Sequence, residues 1–270
     1  MSATESVVVE RAGSIMTVTI NRPEAYNALN AEVLRRLHAA VRDADGDPAI
    51  RAVVITGSGE KAFCAGADLK ELAGMGADRA HRTLHAGQRV LRDVERAKIP
   101  VIAAVNGVAL GGGFELVLAS TFAVMSTRAS LGLPESGLGL MPGYGGTQRL
   151  PRVIGAPAAA HLMLTGARLD AQRAYQLGLS PVPPVDPADL MATVSALAEK
   201  IAAQGPAAVR AILTALDTGR DAPLDAGLEL ETGLAALAVA GVESAEGIAA
   251  FLERRPPRFT DPAPASEKAE

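Results

Sequence analysis

At 270 residues, with 49% hydrophobic and 21% charged side chains, the chain is long enough to bury a large core and too apolar to be mostly disordered. A net charge of -4 and an aromatic content of 3%, with no Trp, supply neither the basic field nor the stacking platform of a nucleic-acid binder, so no nucleic-acid partner is expected. Cys64 is alone and has no partner for an internal disulfide, and residues 1–13 lack the basic start and apolar run of a signal peptide, so a cytoplasmic location is expected.

Residues 7–10 and 15–20 read as two short strands around the turn at Ala12-Gly13-Ser14. Asn30 stands as N-cap to a helix over 31–44, where Val33, Leu34, Leu37 and Val41 recur at helical spacing. A buried strand follows over 52–56, then a small-residue loop at Ala65-Gly66-Ala67, a short helix over 69–72 capped by Asp68, and a long charged helix over 77–97. The apolar stretch 99–119 is interrupted by Asn106, Gly111 to Gly113 and Glu115, which argues for buried core rather than a membrane span. It divides into a strand over 101–105, the glycine run and a short helix to 119.

A strand is expected over 122–126 and loop over 131–146. Helices are then expected over 156–164, 171–177, 188–203, 207–216, 224–239 and 244–254. The cluster Pro181, Pro183, Pro184 and Pro187 marks a seam between an α/β core, residues 1–186, and a helical region, residues 187–256. Residues 257–270, with Pro262 and Pro264, read as a disordered tail.

Two glutamates stand in apolar, glycine-rich surroundings: Glu115 after Gly111-Gly112-Gly113-Phe114, and Glu135 after Leu131-Gly132-Leu133-Pro134. Burial would raise their pKa values, so that one carboxyl donates a proton while the other accepts one. The glycine run opens a helix, where the Gly112 N–H is free to face a ligand oxygen, and Ala67 is placed to supply a second such donor. Taken singly, Glu115 also reads as a helix-start carboxylate and Glu135 as an exposed loop residue; Gly143-Tyr144-Gly145-Gly146-Thr147 is a plain turn or a close approach to ligand. Gly57-Ser58-Gly59-Glu60-Lys61-Ala62 lacks the following helix and the distal acidic residue of a dinucleotide site. His81 and His85 have metal-pair spacing without the intervening glutamate, and Cys64 reads as a small core residue.

These residues resemble the enoyl-CoA hydratase/isomerase (crotonase) superfamily. The similarity is carried by Asn21-Arg22-Pro23-Glu24-Ala25-Tyr26-Asn27-Ala28-Leu29-Asn30, by Ala62-Phe63-Cys64-Ala65-Gly66-Ala67-Asp68-Leu69-Lys70-Glu71, by 99–118, and by Pro134-Glu135 through Pro142-Gly143-Tyr144-Gly145-Gly146-Thr147-Gln148-Arg149-Leu150, with 246–256 at the C-terminal end. The resemblance implies an α/β fold, a crotonase-like spiral of β-β-α turns with a helical C-terminal trimerisation region, assembled as a homotrimer or as a hexamer of paired trimers. It implies an acyl-CoA thioester substrate, with CoA entering as part of that substrate and no metal or separate cofactor. Glu115 and Glu135 would be the catalytic pair and Ala67 and Gly112 the oxyanion-hole donors. Substrate contacts would fall at Ala65, Gly66, Asp68, Leu69, Lys70 and Gly143, with Arg254 of a neighbouring subunit a further candidate for phosphate.

The activity implied is enoyl-CoA hydration in fatty-acid beta-oxidation or related acyl-CoA metabolism. Isomerase, hydroxyacyl-CoA dehydratase or thioester hydrolase chemistry, and non-catalytic acyl-CoA binding, are the alternatives. The chain departs from the family pattern at Ser120-Thr121, where an acidic residue is common near the site's back wall, and at Ser180-Pro181 with Pro183-Pro184, which interrupt an expected strand.

Overall fold

The computed structural model describes residues 5–259. Of the tail expected to be disordered, 257–259 carry no helix or strand, and 260–270 lie outside the described residues. The chain opens with β1 (Val7–Ala12) paired antiparallel to β2 (Ile15–Ile20) across Gly13, whose φ of 59° suits the tight turn. Helix α1 (Ala31–Gly46) starts where expected: the Asn30 side chain accepts the Val33 N–H, and Val33, Leu34, Leu37, Ala40, Val41 and Ala44 form its buried face.

From there the chain winds in a repeating pattern that sends one strand to each of two sheets and then a helix. β3 (Ala52–Gly57) and β4 (Ala62–Cys64) lead to α2 (Leu69–Leu72) and α3 (Ala77–Glu95). β5 (Val101–Val105) and β6 (Val108–Leu110) lead to α4 (Gly112–Ala119). β7 (Phe122–Met125) and β8 (Ser130–Gly132) lead, through a 3-10 turn over Glu135–Leu138, to α5 (Gly146–Ile154) and α6 (Ala156–Thr165). The larger sheet has the order β1-β2-β3-β5-β7, and the smaller β4-β6-β8-β9, where β9 is Arg168–Asp170. This is the β-β-α spiral implied by the family resemblance.

The elbows between the two sheets are held by polar side chains. Asn106 donates to the carbonyls of Gly57 and Gly59 and accepts from the Gly57 N–H, and the Ser126 hydroxyl donates to the Asn106 carbonyl, so successive turns are tied corner to corner. A side chain at Gly107 would lie 2.5 Å from the Lys61 carbonyl oxygen, which accounts for glycine at that corner.

Strand alternation divides the larger sheet between two cores. Val53, Ile55, Val101, Ala103 and Val105 face a core shared with α1, α3 and α4; Ala52, Val54, Ile102, Ala104 and Val124 face Leu190, Val194 and Ala198 of α8 (Leu190–Ala202). Between β9 and α8 lies α7 (Ala171–Gln176). Beyond the proline cluster the chain thus returns to cover the larger sheet with α8.

The strand interrupted by those prolines shrinks to one parallel bridge, Ser126 to Val185, where Thr127 N–H and Val185 N–H still find carbonyl partners. Beyond α8, α9 (Pro206–Gly219) pairs with α10 (Leu224–Ala240), and α11 (Val242–Leu252) follows. No residue of α10 is buried. No single helix among the described residues is long and apolar enough to cross a membrane.

Residues 131–146 are not all loop. They hold the end of β8, the 3-10 turn and the first residue of α5, and the three-residue strands β4, β6 and β9 also lie where no strand was expected.

Candidate active site

Helix α4 is apolar on every side and enclosed on almost every side, so a carboxylate on it is buried by position: Glu115 is 1% exposed. Its N-terminus is pressed against the Cys64–Ala67 loop. A side chain at Gly113 would strike the Cys64 carbonyl; one at Gly112 would come 3.4 Å from the Ala67 amide nitrogen, and one at Gly66 would come 3.4 Å from the Gly112 nitrogen. Glycine at these positions lets the amides of Ala67 and Gly112 stand side by side. No hydrogen-bond acceptor among the described residues takes either N–H.

The Glu115 carboxylate is aimed by the loop before α5. Its Oε1 accepts the Tyr144 N–H at 2.8 Å and the Gly146 N–H at 2.7 Å. Burial is the largest influence on it and, with the nearby Glu135 charge, outweighs those two hydrogen bonds and Arg149, lifting its pKa to about 7. Glu135 begins the 3-10 turn after Pro134. It is half-buried, its Oε2 has no hydrogen-bond partner, and burial raises its pKa as well. Its Oε1 lies 2.9 Å from where a side chain at Gly111 would begin.

Both glutamates and both amides line one cavity of about 120 Å³, together with Ala65, Gly66, Leu69 and Gly143. Among the residues expected to touch substrate, Asp68 and Lys70 are the exceptions. The Asp68 carboxylate accepts the Lys70 N–H as cap of α2 and pairs with Arg22 at 3.0 Å, and Lys70 is exposed outside this cavity. Thr121 does not reach the cavity either: its hydroxyl accepts the Val101 N–H at the start of β5. Cys64 is fully buried, and its thiol is pushed up to about 12 by desolvation, so it is no nucleophile. His81 and His85 stack, with ring centroids 6.0 Å apart, on the exposed face of α3.

The arrangement also recruits residues that no side-chain motif announced. Arg149 donates to the Tyr144 carbonyl at 2.8 Å and to Glu95 at 2.8 Å, and Gln88 donates to the Gly143 carbonyl. Burial works against ionising Glu95, but the guanidinium groups of Arg149, Arg220 and Arg92 hold it at about 2. A permanent ion cluster therefore fixes the loop whose amides orient Glu115. The glycines around Tyr144 were a visible signal, although which carbonyls and amides they would present was not.

Chemically, the cavity offers two unpaired N–H donors for an oxygen that gains negative charge and, beside them, two carboxyls that burial makes easier to protonate, Glu115 with a pKa of about 7.

Residues 10–262 match the family model described as Enoyl-CoA hydratase/isomerase. The chain is 39% identical to crotonyl-CoA hydratase of Syntrophomonas wolfei, over 95% of this chain and 98% of the relative. It is 37% identical to short-chain-enoyl-CoA hydratase of Clostridium acetobutylicum, over 93% of this chain and 95% of the relative. The crystal structure of enoyl-CoA hydratase from Bacillus anthracis superposes with a TM-score of 0.90 at 39% identity, covering 94% of this chain and 98% of that one.

Proposed function

The chain belongs to the enoyl-CoA hydratase/isomerase family, and from that premise we infer that it is a hydro-lyase adding water across the 2,3 double bond of a trans-2-enoyl-CoA to give the 3-hydroxyacyl-CoA. The observation that carries this reading is the convergence of Glu115, Glu135, Ala67 and Gly112 on one small cavity.

With the thioester oxygen on the amides of Ala67 and Gly112, the carbonyl is polarised and the enolate formed by addition at C3 is stabilised; one such donor is worth about 3 kcal/mol in related oxyanion holes. The glutamate pair works with one proton between them. Glu115, supported by two N–H donors, is the carboxylate that takes a proton from water as the water oxygen bonds to C3. Glu135, with one oxygen unpartnered, is the acid that delivers its proton to C2. One proton is gained by the pair and one lost, so the enzyme ends with its charge unchanged and the two roles exchanged.

The test is direct. Crotonyl-CoA should lose its conjugated-thioester absorbance with purified protein, and Glu115→Gln or Glu135→Gln should each slow kcat by about 10²-fold or more with little change in KM. Unaltered absorbance in the presence of demonstrable CoA-ester binding would overturn the reading.

The reaction belongs in fatty-acid beta-oxidation or related acyl-CoA metabolism, in the cytoplasm, and needs no metal or separate cofactor because CoA arrives on the substrate. Lys70 and Arg254 are the cations we assign to the CoA phosphates, both exposed on the surface. The working form is a homotrimer or a hexamer, a reading supported by the apolar side chains that α9, α10 and α11 leave uncovered.

A further inference from the structure

We propose that the Tyr144 ring sets the upper limit of acyl-chain length: it closes the far end of the reaction cavity and separates it from an apolar-floored groove between α1 and α3 that would otherwise take the tail of a longer chain. The inference rests on the enoyl-CoA hydratase reading and names its substrate class as short-chain enoyl thioesters.

The reaction cavity, about 120 Å³, and the groove, about 670 Å³, are neighbours. Ala67, Leu72 and Tyr144 line both, and of these Tyr144 carries the one large, rigid side chain. The cavity has an exposed mouth, formed by Leu69 on the Lys70 side and by Leu138, Leu140 and Met141 opposite, and an enclosed end at Tyr144, which is 4% exposed. A CoA group is far too large for the cavity and must leave by the exposed end. An acyl chain whose carbonyl sits on the Ala67 and Gly112 amides therefore points its tail toward Tyr144.

The ring cannot easily yield. It is wedged between α3 and α4: a side chain at Gly87 would collide with it, and one at Gly112 would come 3.0 Å from its Cδ2. The backbone behind it is pinned on both sides, the N–H by Glu115 and the carbonyl by Arg149. A loop shift that moved the ring would also release the glutamate, so a tail that displaced it would cost catalysis. Past the ring, Leu29, Leu34, Leu72 and Val90 give the groove an apolar floor for a hydrocarbon tail, beneath an exposed charged rim that includes Arg35, Arg42, Arg82, Arg89 and Asp93.

Hydration rates across four-, six-, eight-, ten- and twelve-carbon trans-2-enoyl-CoAs test this. For the unmodified enzyme kcat/KM should fall by about tenfold or more between the four- and ten-carbon substrates, and Tyr144→Ala should raise the ten- to four-carbon ratio by about tenfold or more. Ala86→Trp, which fills the groove and touches none of the catalytic groups, should leave four-carbon turnover of the unmodified enzyme unchanged and abolish the gain when added to Tyr144→Ala. Should Tyr144→Ala fail to fold, Tyr144→Leu is read the same way. A flat profile through ten carbons in the unmodified enzyme, or a ratio unmoved by loss of the ring, overturns the proposal. Calorimetric binding of saturated butyryl- and decanoyl-CoA reads the same wall without turnover: equal affinities for the unmodified protein overturn it. An absence of hydration with every substrate, alongside tighter butyryl-CoA binding, would instead remove the hydratase reading and leave the wall standing.

Discussion

Glu115 shows how much the fold gives up to place one carboxyl. An unfolded glutamate ionises near 4.5, while this one, enclosed by α4 and the loop before α5, holds its proton to about 7. Below 4.5 both states are protonated and the residue costs nothing. As pH rises through the folded value the unfolded chain ionises freely and the folded one only reluctantly, so stability declines across that window by about 3 kcal/mol in total. Glu115→Gln should therefore match the unmodified protein in stability near pH 4 and exceed it by roughly that amount near pH 9, as read from urea unfolding at each pH. A gain that stayed constant with pH would mean the carboxylate is adequately solvated. The glutamine carbonyl can still accept the Tyr144 and Gly146 N–H groups, which keeps the comparison free of a lost hydrogen bond.

At the scale of elements, legibility followed length and side-chain periodicity. Helix α1 was readable because six buried positions repeat at helical spacing behind Asn30, and α3 and α8 for the same reason. Strands β4, β6, β8 and β9 have three residues each, too few for alternation to register, and they exist because the neighbouring turn of the spiral supplies their hydrogen bonds. Helix α5 was concealed by Gly145, Gly146 and Pro151, which locally signal loop; its first turn is held by Arg149, whose N–H and side chain bond back to Gly145 and Tyr144. The glutamates, the oxyanion amides and helix α4 were visible as sequence, but the Tyr144 and Gly146 amides that aim Glu115, and Arg149 behind them, were not, since backbone donors leave no residue signature. Arg149 is accordingly a positioning residue with a testable signature. Arg149→Met should lower kcat by about 10²-fold through a misplaced Glu115, with KM little changed, and should shift the pH–rate profile because a cation that favours the Glu115 carboxylate is gone. An unshifted profile would reduce Arg149 to a structural role.

For the molecule as a whole, the spiral buries its own two sheet faces and leaves its last three helices underused. Helix α10 has no buried residue, and Leu224, Leu237, Val239, Val242, Phe251 and Leu252 are all strongly exposed, Phe251 at 83%. Scattered exposed leucines are unremarkable on a protein surface, but a helix pair with apolar side chains on its outer faces gains little from folding unless something covers it. The same helices are anchored to the active-site side of the core by charge: Asp217 and Arg220 at the end of α9 reach Arg92 and Glu95, the ion cluster that also holds Arg149. Assembly through α10 and α11 would thus steady the loop that orients Glu115. Leu237→Glu combined with Phe251→Glu should convert a trimeric or hexameric species to monomer in light scattering, since two charges introduced into a contact of this kind would each be left without a partner. Because α9 carries the ion cluster, the monomer should also lose turnover while retaining the fold by circular dichroism. A mass unchanged by both substitutions would place the subunit contact elsewhere, and a monomer with full activity would show that the core alone holds the glutamate in place.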